Sequence, residues 1–340
     1  MKGQKLGFEE GLKEVVSSGR CAGCGACVAT CPVKALDYQD GPVLTGECKE
    51  CGICSQVCPR REFNLAELEE LAFGRTRTEE EKFGVYKKIM VARATDADIK
   101  SVCQDGGVVT AILASTLEDG TIDGAVVSGL GEKPLYPVPV IAASREDLLN
   151  AAGTRYTYSP NLLALRDIAK FNSVAVVGTP CHIQSVRKIQ QIQLKKYTRR
   201  ISYLVGLFCT ESFQYDGLMS ALSERLGVSP SNVKKMNIKA KMIVYTDSGE
   251  EKTIPLKELR PYMRTGCHYC TDFSSELADI SVGAVGLAGW NLVIIRSDRG
   301  EDVVNRVLEK GLLETKPVEQ EKRALELLIK LTEMKRKRGA

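Results

Sequence analysis

No run of this chain is apolar for long enough to cross a membrane: the longest weakly polar stretch, Ile280 to Ile295, is glycine-rich, contains Asn291, and falls short of the about 20 residues a spanning helix needs. Neither sign of charge is in excess. The net charge is only +4 over 340 residues, with no basic stripe interleaved with aromatics, which leaves nucleic-acid binding with little support. A dinucleotide fingerprint is also missing. The stretch Gly283-Ala-Val-Gly286-Leu-Ala-Gly289 is not GxGxxG, and no acidic residue follows about twenty positions after a helix start, so NAD is not expected. Nothing like a secretory leader precedes the first motif, and thiol-rich chains of this kind belong in reducing compartments, so a cytoplasmic protein is expected. Apolar content of 44% and charged content of 26% are those of an ordinary globular protein with a packed core.

Cysteine is abundant, thirteen in all. Eight of them form Cys21-x2-Cys24-x2-Cys27-x3-Cys31-Pro32 and, after sixteen residues, the same run again as Cys48-x2-Cys51-x2-Cys54-x3-Cys58-Pro59. A 4Fe-4S cubane takes four thiolates, and in such repeats the fourth crosses to the other cluster. Cys21, Cys24, Cys27 and Cys58 are therefore assigned to one centre, and Cys48, Cys51, Cys54 and Cys31 to the second. Zinc modules want only CxxC pairs, and disulfide frameworks belong to short secreted chains; neither explains two identical octads. The small residues Ala22, Gly23, Gly25, Ala26 and Gly52 between the ligands let backbone amides approach the sulfurs.

Residues 1–63 thus read as a two-cluster, ferredoxin-like α+β module. A helix over Asn64–Phe73 and a charged linker, Gly74–Gly84, follow. Hydrophobic runs then alternate with helical patterns over Ile89–Ala94, Gly107–Leu117, Gly124–Val127, Ser144–Ala152, Pro160–Ala169, Val174–Val177, Ile183–Ile189 and Ile201–Phe208, which predicts an α/β domain over 84–300. Ser144-x-x-Asp147 predicts a capping box, and Ser159 before Pro160 predicts a capped helix start. Met242–Thr246 and Lys252–Pro255 predict a hairpin. The segment 301–340 is expected to be helical, with an amphipathic helix over Glu319–Met334, and Lys335-Arg-Lys-Arg338 reads as a solvated basic tail.

Cys103, Cys181, Cys209, Cys267 and Cys270 lie outside the octads. Cys267-His-Tyr-Cys270 can present two thiolates from one loop. Cys181 and Cys209 each follow a predicted strand, where loops at carboxyl ends converge. Spacing alone leaves a third cubane and a set of packed thiols equally open, since free cysteine is often simply buried. Cys103 has no partner in sequence.

Five segments together carry a resemblance: Cys103-Gln-Asp-Gly-Gly-Val-Val-Thr110, Ala152-Gly-Thr-Arg-Tyr156, Val177-Gly-Thr-Pro-Cys-His182, Cys267-His-Tyr-Cys-Thr-Asp272 and Ala278-Asp-Ile-Ser-Val-Gly283. Over roughly residues 84 to 300 the chain resembles the coenzyme F420 hydrogenase/dehydrogenase beta-subunit family, and with two fused clusters it is most similar to the electron-input subunits of F420H2 dehydrogenases. The resemblance implies an FAD and a third 4Fe-4S cluster on Cys181, Cys209, Cys267 and Cys270. It implies oxidation of reduced coenzyme F420 by hydride transfer to FAD, single electrons then leaving through the clusters to a respiratory complex or a ferredoxin-like acceptor. Asp105, Gly106, Gly107, Thr110, Thr154, Arg155, Tyr156 and Thr179 are the residues it places at the cofactor. The physical reading agrees at Gly106-Gly107, which opens a helix whose free amides suit a pyrophosphate. Arg260 and Arg264 are candidates for an anionic substrate tail, or for surface ion pairs. His182 and His268 need not be bases, because hydride transfer to a flavin depends on placement. Two other readings stay open within the same pattern: a ferredoxin-dependent reductase of another substrate, and a non-catalytic electron-wiring subunit. Partner subunits would hold the chain peripherally on the cytoplasmic side of a membrane.

Overall fold

A computed structural model describes residues 6–339. The N-terminal module folds around two short helices, Ala26–Thr30 and Ile53–Gln56, and one hairpin, β1 (Leu36–Tyr38) and β2 (Pro42–Leu44). Each short helix begins at a glycine in the left-handed region, Gly25 (φ +83°) and Gly52 (φ +75°), at the same place in each octad. This is the backbone reason for glycine there: a Cβ at Gly25 would also come within 2.8 Å of Leu163. The repeat is imperfect one step earlier. Gly23 (φ +70°) has Glu50 (φ +50°) as its counterpart, a left-handed non-glycine residue that costs about 1 kcal/mol.

The rest of the chain is built on an eight-stranded mixed sheet. Its strands in chain order are β3 (Lys88–Ala94), β4 (Gly124–Leu130), β5 (Pro137–Ala142), β6 (Val174–Gly178) and β7 (Ile201–Leu207); then, after a separate three-stranded sheet of β8 (Val233–Ile238), β9 (Lys241–Thr246) and β10 (Glu251–Pro255), come β11 (Ile280–Gly283), β12 (Asn291–Ile295) and β13 (Leu313–Lys316). The spatial order is β13-β3-β12-β11-β7-β6-β4-β5, parallel through β11, β7, β6 and β4 and antiparallel outside them. The central strands are buried along their length, as a sheet covered on both faces requires.

Most expected elements are present. Helices occupy Leu65–Phe73, capped by Asn64, and Val108–Glu118, and Arg145–Ala151 carries the expected Ser144/Asp147 capping box. Two expectations are extended and two corrected. The hairpin over 242–255 is part of the three-stranded sheet, with β8 as its third strand. The stretch 280–295 contains two paired strands, β11 and β12. The segment after 301 is not wholly helical, because β13 adds an edge strand to β3. Ser159 does not cap a helix: its hydroxyl is buried without a partner, and Asn161–Lys170 is wound as a 3-10 helix whose Leu162 amide donates to the Cys24 carbonyl.

That last bond marks how the two parts meet. One hydrophobic core runs from Val28, Val57 and Leu68 of the N-terminal region into Leu162, Leu165, Ile183 and Val186. Polar bonds sit inside it: Ser185 Oγ donates to the Val57 carbonyl (2.7 Å), Tyr197 to that of Ala29 (2.8 Å), and the buried Lys188 ammonium to that of Cys58 (2.8 Å). Each buried aliphatic side chain contributes about 1.5–3 kcal/mol, against about 0–1 for an exposed ion pair. Shared burial therefore fixes the module's position on the sheet domain.

Candidate electron-transfer and cofactor site

The thiols gather in three groups. In the first, Cys24, Cys27 and Cys58 are buried and Cys21 is partly exposed; Cys27 lies within the fields of Cys24, Cys58 and Cys21. The second group lines a recess whose walls include Cys31, Cys48, Cys51 and Cys54 together with Phe8, Leu36 and Leu44. Backbone amides aim at the sulfurs at equivalent places: Gly23 N–H at Cys21 Sγ (3.3 Å) and Glu50 N–H at Cys48 Sγ (3.4 Å). Among the described residues no three His, Cys, Asp or Glu side chains close on a point that would hold a single ion. One tetrahedral zinc at about 2.3 Å from each sulfur would draw its thiolates to about 3.8 Å apart. Thiols ringing a recess, met by amides, suit a cubane with its own volume.

The third group comes from three loops. Cys181 opens the helix Pro180–Gln191 directly after β6, Cys209 follows β7, and Cys267 lies within the 3-10 turn Thr265–Tyr269 that Cys270 directly follows. Because β6 and β7 are parallel neighbours, their carboxyl-end loops meet, and Cys209 is within the fields of Cys267, Cys181 and Cys270. Burial pushes the Cys209 thiol up to about 12. Cys270 is the exception: burial pushes it up too, but the Lys335 and Arg60 cations outweigh this and hold it below its usual value. A cluster's iron would likewise favour the thiolate.

The first group stands between the other two. The field of Cys181 reaches Cys24, and that of Cys54 reaches Cys27. Tyr158 fills the gap on one side. Its hydroxyl lies 3.4 Å from Cys181 Sγ and 3.2 Å from His182 Nε2, its ring stacks on His182, and its Cε1 is 3.3 Å from where a Cβ on Gly23 would sit. His182 is a neutral structural residue, its pKa pushed down to about 4 by burial. The Thr179 amide donates to Nδ1 (3.1 Å), which leaves Nε2–H to donate to the Ser159 carbonyl (3.0 Å).

Three comparisons bear on this arrangement. Residues 13–59 match the 4Fe-4S dicluster domain; 89–166 and 171–321 match the N-terminal and C-terminal parts of the coenzyme F420 hydrogenase/dehydrogenase beta subunit. The coenzyme F420 hydrogenase subunit beta of Methanosarcina barkeri is 41% identical over 264 residues, 76% of this chain and 91% of that protein. The chain belongs to the coenzyme F420 hydrogenase/dehydrogenase beta-subunit family. Its N-terminal module is a 4Fe-4S dicluster domain. The F subunit of the F(420)H(2) dehydrogenase of Methanosarcina mazei is 34% identical and matches nearly end to end, over 97% of this chain and 93% of its own length. A chain in the solved structure of the F420-reducing [NiFe] hydrogenase complex of Methanosarcina barkeri superposes with TM-score 0.75 at 41% identity, covering 77% of this chain and 93% of that one. The likeness to dehydrogenase F subunits is thus one of several, with higher identity to a hydrogenase beta subunit.

In this member of the family the expected cofactor residues divide into two sets. Gln104 ties two loops and β8 together at the start of the helix Val108–Glu118: its Nε2 donates to the Met236 carbonyl (2.9 Å), its Oε1 accepts from the Thr154 amide (3.3 Å), and its carbonyl accepts from Lys235 Nζ (2.6 Å). Asp105, Gly106, Gly107, Thr154 and Tyr156 are on the loops so joined, and Thr110 is in the first turn of the helix. Burial pushes Asp105 up to about 6, against the pull of Lys235 and Lys239. Two residues face elsewhere. The Arg155 guanidinium is directed into the scaffold, donating to the carbonyls of Ala151 (2.8 Å), Gly153 (3.4 Å) and Asn150 (3.4 Å) at the end of the Arg145–Ala151 helix and of Ser128 (3.1 Å) on β4. The Thr179 hydroxyl is 2.9 Å from His182 Nδ1 and 3.2 Å from Cys181 Sγ, on the side of the third thiol group. Arg264 is likewise structural, paired with Asp40 and lying 4.7 Å over the Tyr158 ring.

Sequence reasoning missed Tyr158, Arg60, Lys235 and Lys335. Only Arg60, next to a Cys-Pro, carried a local signal. Gly106 is explained by packing: a Cβ there would meet the Asn291 amide nitrogen at 2.8 Å and the Ala92 carbonyl at 2.9 Å. These are backbone atoms of strands that cannot yield. Gly106→Ala is expected to destabilise the chain by about 1–3 kcal/mol, visible as a lowered thermal midpoint; an unchanged midpoint would show that the β3–β12 pair is soft.

Proposed function

We propose that the chain oxidises reduced coenzyme F420 at the site formed by residues 104–110, 153–156 and β8, and delivers single electrons through three 4Fe-4S centres. The third is held by Cys181, Cys209, Cys267 and Cys270. The observation that carries this is the order of the thiol groups. Cys24 lies in the field of Cys181 and Cys27 in that of Cys54, so the first group links the thiols of the sheet domain to the second group of the module. FAD, when bound, accepts electrons as a pair and releases them singly, which a chain joining a hydride donor to cubanes requires. The chain's own residues supply the seat. Gln104 fixes the relation of the two loops, the positive end of the Val108–Glu118 helix favours an anionic group although the Val108 amide itself donates to Asn291 Oδ1 (3.4 Å), and Lys235 and Lys239 add positive charge beside it. At the far end Cys31, Cys48 and Cys51 are partly exposed and Val33 is 44% exposed. The second centre is therefore where a partner subunit or a ferredoxin-like protein takes the electrons.

The nearly end-to-end match to an F420H2 dehydrogenase subunit supports the direction from coenzyme to acceptor. Anaerobically purified chain loaded with iron, sulfide and flavin is expected to bleach F420H2 when an artificial one-electron acceptor is present. Loaded protein that leaves F420H2 unoxidised would overturn the assignment of substrate. Clusters without any extractable flavin would instead favour an electron-wiring subunit.

A further inference from the structure

The family match ends at residue 321, yet the helix Lys322–Gly339 continues beyond it and packs its last turns against the third thiol group. The basic run at its end is not a solvated tail. Lys335 is 4% exposed and its ammonium donates to the Cys209 carbonyl. Arg336 pairs with the buried Glu276 (2.9 Å), and Arg338 with Glu211 (2.6 Å) and the Thr210 carbonyl. A Cβ on Gly339 would lie 2.9 Å from the Cys270 carbonyl carbon, so the helix end lies directly on that loop. Arg60 also reaches Cys270.

A buried cation is costly unless something negative repays it. Asp272 is buried nearby, but it already accepts from the Glu276 amide (3.1 Å) and the Gln184 side chain (3.3 Å) and shares its surroundings with the Arg296 cation. Cys209 and Cys270 act on Lys335 ahead of Asp272, so its main counter-charge is that of the thiolates and the cluster they hold. Adding an electron makes that cluster more negative, and net charge beside a cluster is one of the terms that sets its potential.

We propose that Lys335 is a positioning residue for redox: the C-terminal helix carries its cation to the third centre and raises that centre's potential, making it a favourable first acceptor of single electrons. The inference rests on the third centre proposed above. One electron enters, the cluster gains one unit of negative charge, and no bond is made or broken.

The test is a potentiometric titration followed by electron paramagnetic resonance on the full, anaerobically loaded chain, with iron counted. Lys335→Met is expected to lower the third centre's reduced-to-oxidised ratio at the wild-type midpoint about tenfold, which is about 59 mV for a one-electron couple. The two dicluster signals should stay in place, and Lys335→Arg should restore most of the shift. If Lys335→Met loads only about eight irons while Lys335→Arg loads about twelve, the charge is needed even to hold the cluster, which supports the same role. A third centre whose midpoint is unmoved in Lys335→Met, or an iron loss that Lys335→Arg fails to rescue, would overturn the inference. Wild-type protein holding only about eight irons sinks the third centre itself, a separate and distinguishable failure.

Discussion

Replacing Cys181 with serine is expected to lower the iron content from about twelve to about eight per chain and to stop steady-state electron delivery, while leaving the hydride half-reaction intact. Serine keeps the hydrogen-bonding geometry to the Tyr158 and Thr179 hydroxyls, 3.4 and 3.2 Å away in the wild type, so the local fold should hold. Its oxygen is a poor substitute for thiolate toward a cluster. Reduced coenzyme should then be bleached once per flavin and no further. Turnover with an acceptor that draws on the dicluster domain should fall by more than about a hundredfold, equivalent to about 2.7 kcal/mol of barrier. The paired control is Cys48→Ser, which removes iron from the second group and should leave the first electron transfer untouched. A Cys181→Ser chain that retains its iron and its turnover would show that the four thiols are packed residues, the alternative that spacing alone left open.

The same experiment separates what was legible in the sequence from what was not. The octads declare themselves because cluster ligation is local: spacing, the glycine before each short helix and the amides aimed at Cys21 and Cys48 all lie within a few residues of each other. The order of elements in the sheet domain was legible for a similar reason, since hydrophobic runs and caps are short-range patterns. The third group was half legible. Cys267 and Cys270 share a loop, but Cys181 and Cys209 join them only because β6 and β7 are parallel neighbours. Lys335 and Tyr158 were not legible at all. A run of four basic residues normally faces water, and here Glu211 and Glu276, more than fifty residues away in sequence, override that expectation. Thr179 and Arg155 show the reverse. Their place in family-like motifs suggested a cofactor, whereas their hydrogen bonds serve His182 and a helix end.

Glu276→Ala is expected to be the most destabilising single change, because this carboxylate joins three parts of the chain. It is 3% exposed, pairs with Arg77 of the linker (2.5 Å) and with Arg336 of the C-terminal helix (2.9 Å), and lies in the field of the fully buried Arg296. The linker over 74–84, expected from its composition to be a simple charged connection, is held by these contacts: Arg77 also pairs with the buried Glu69, and Arg75 grips Glu81 through two bonds of 2.6 and 2.7 Å. Removing one partner of a buried pair costs about 3–5 kcal/mol, since the charge left behind is neither solvated nor compensated. Three cations would lose a counter-charge at once. Glu69 can still serve Arg77, and relief of its repulsion with Glu276 lets Asp272 ionise more readily and serve Arg296. Among the described residues Arg336 keeps no such substitute, so the C-terminal helix should loosen first. A cofactor-loaded chain need not unfold in one step, so the measurement is local: hydrogen exchange should speed up over 74–84 and 322–339 ahead of the sheet. Because Lys335 is adjacent to Arg336, the same variant should also lose iron from the third group before the dicluster sites. Uniform exchange across the chain, or iron lost first from the N-terminal module, would show that Glu276 does not couple the helix to the thiols it covers.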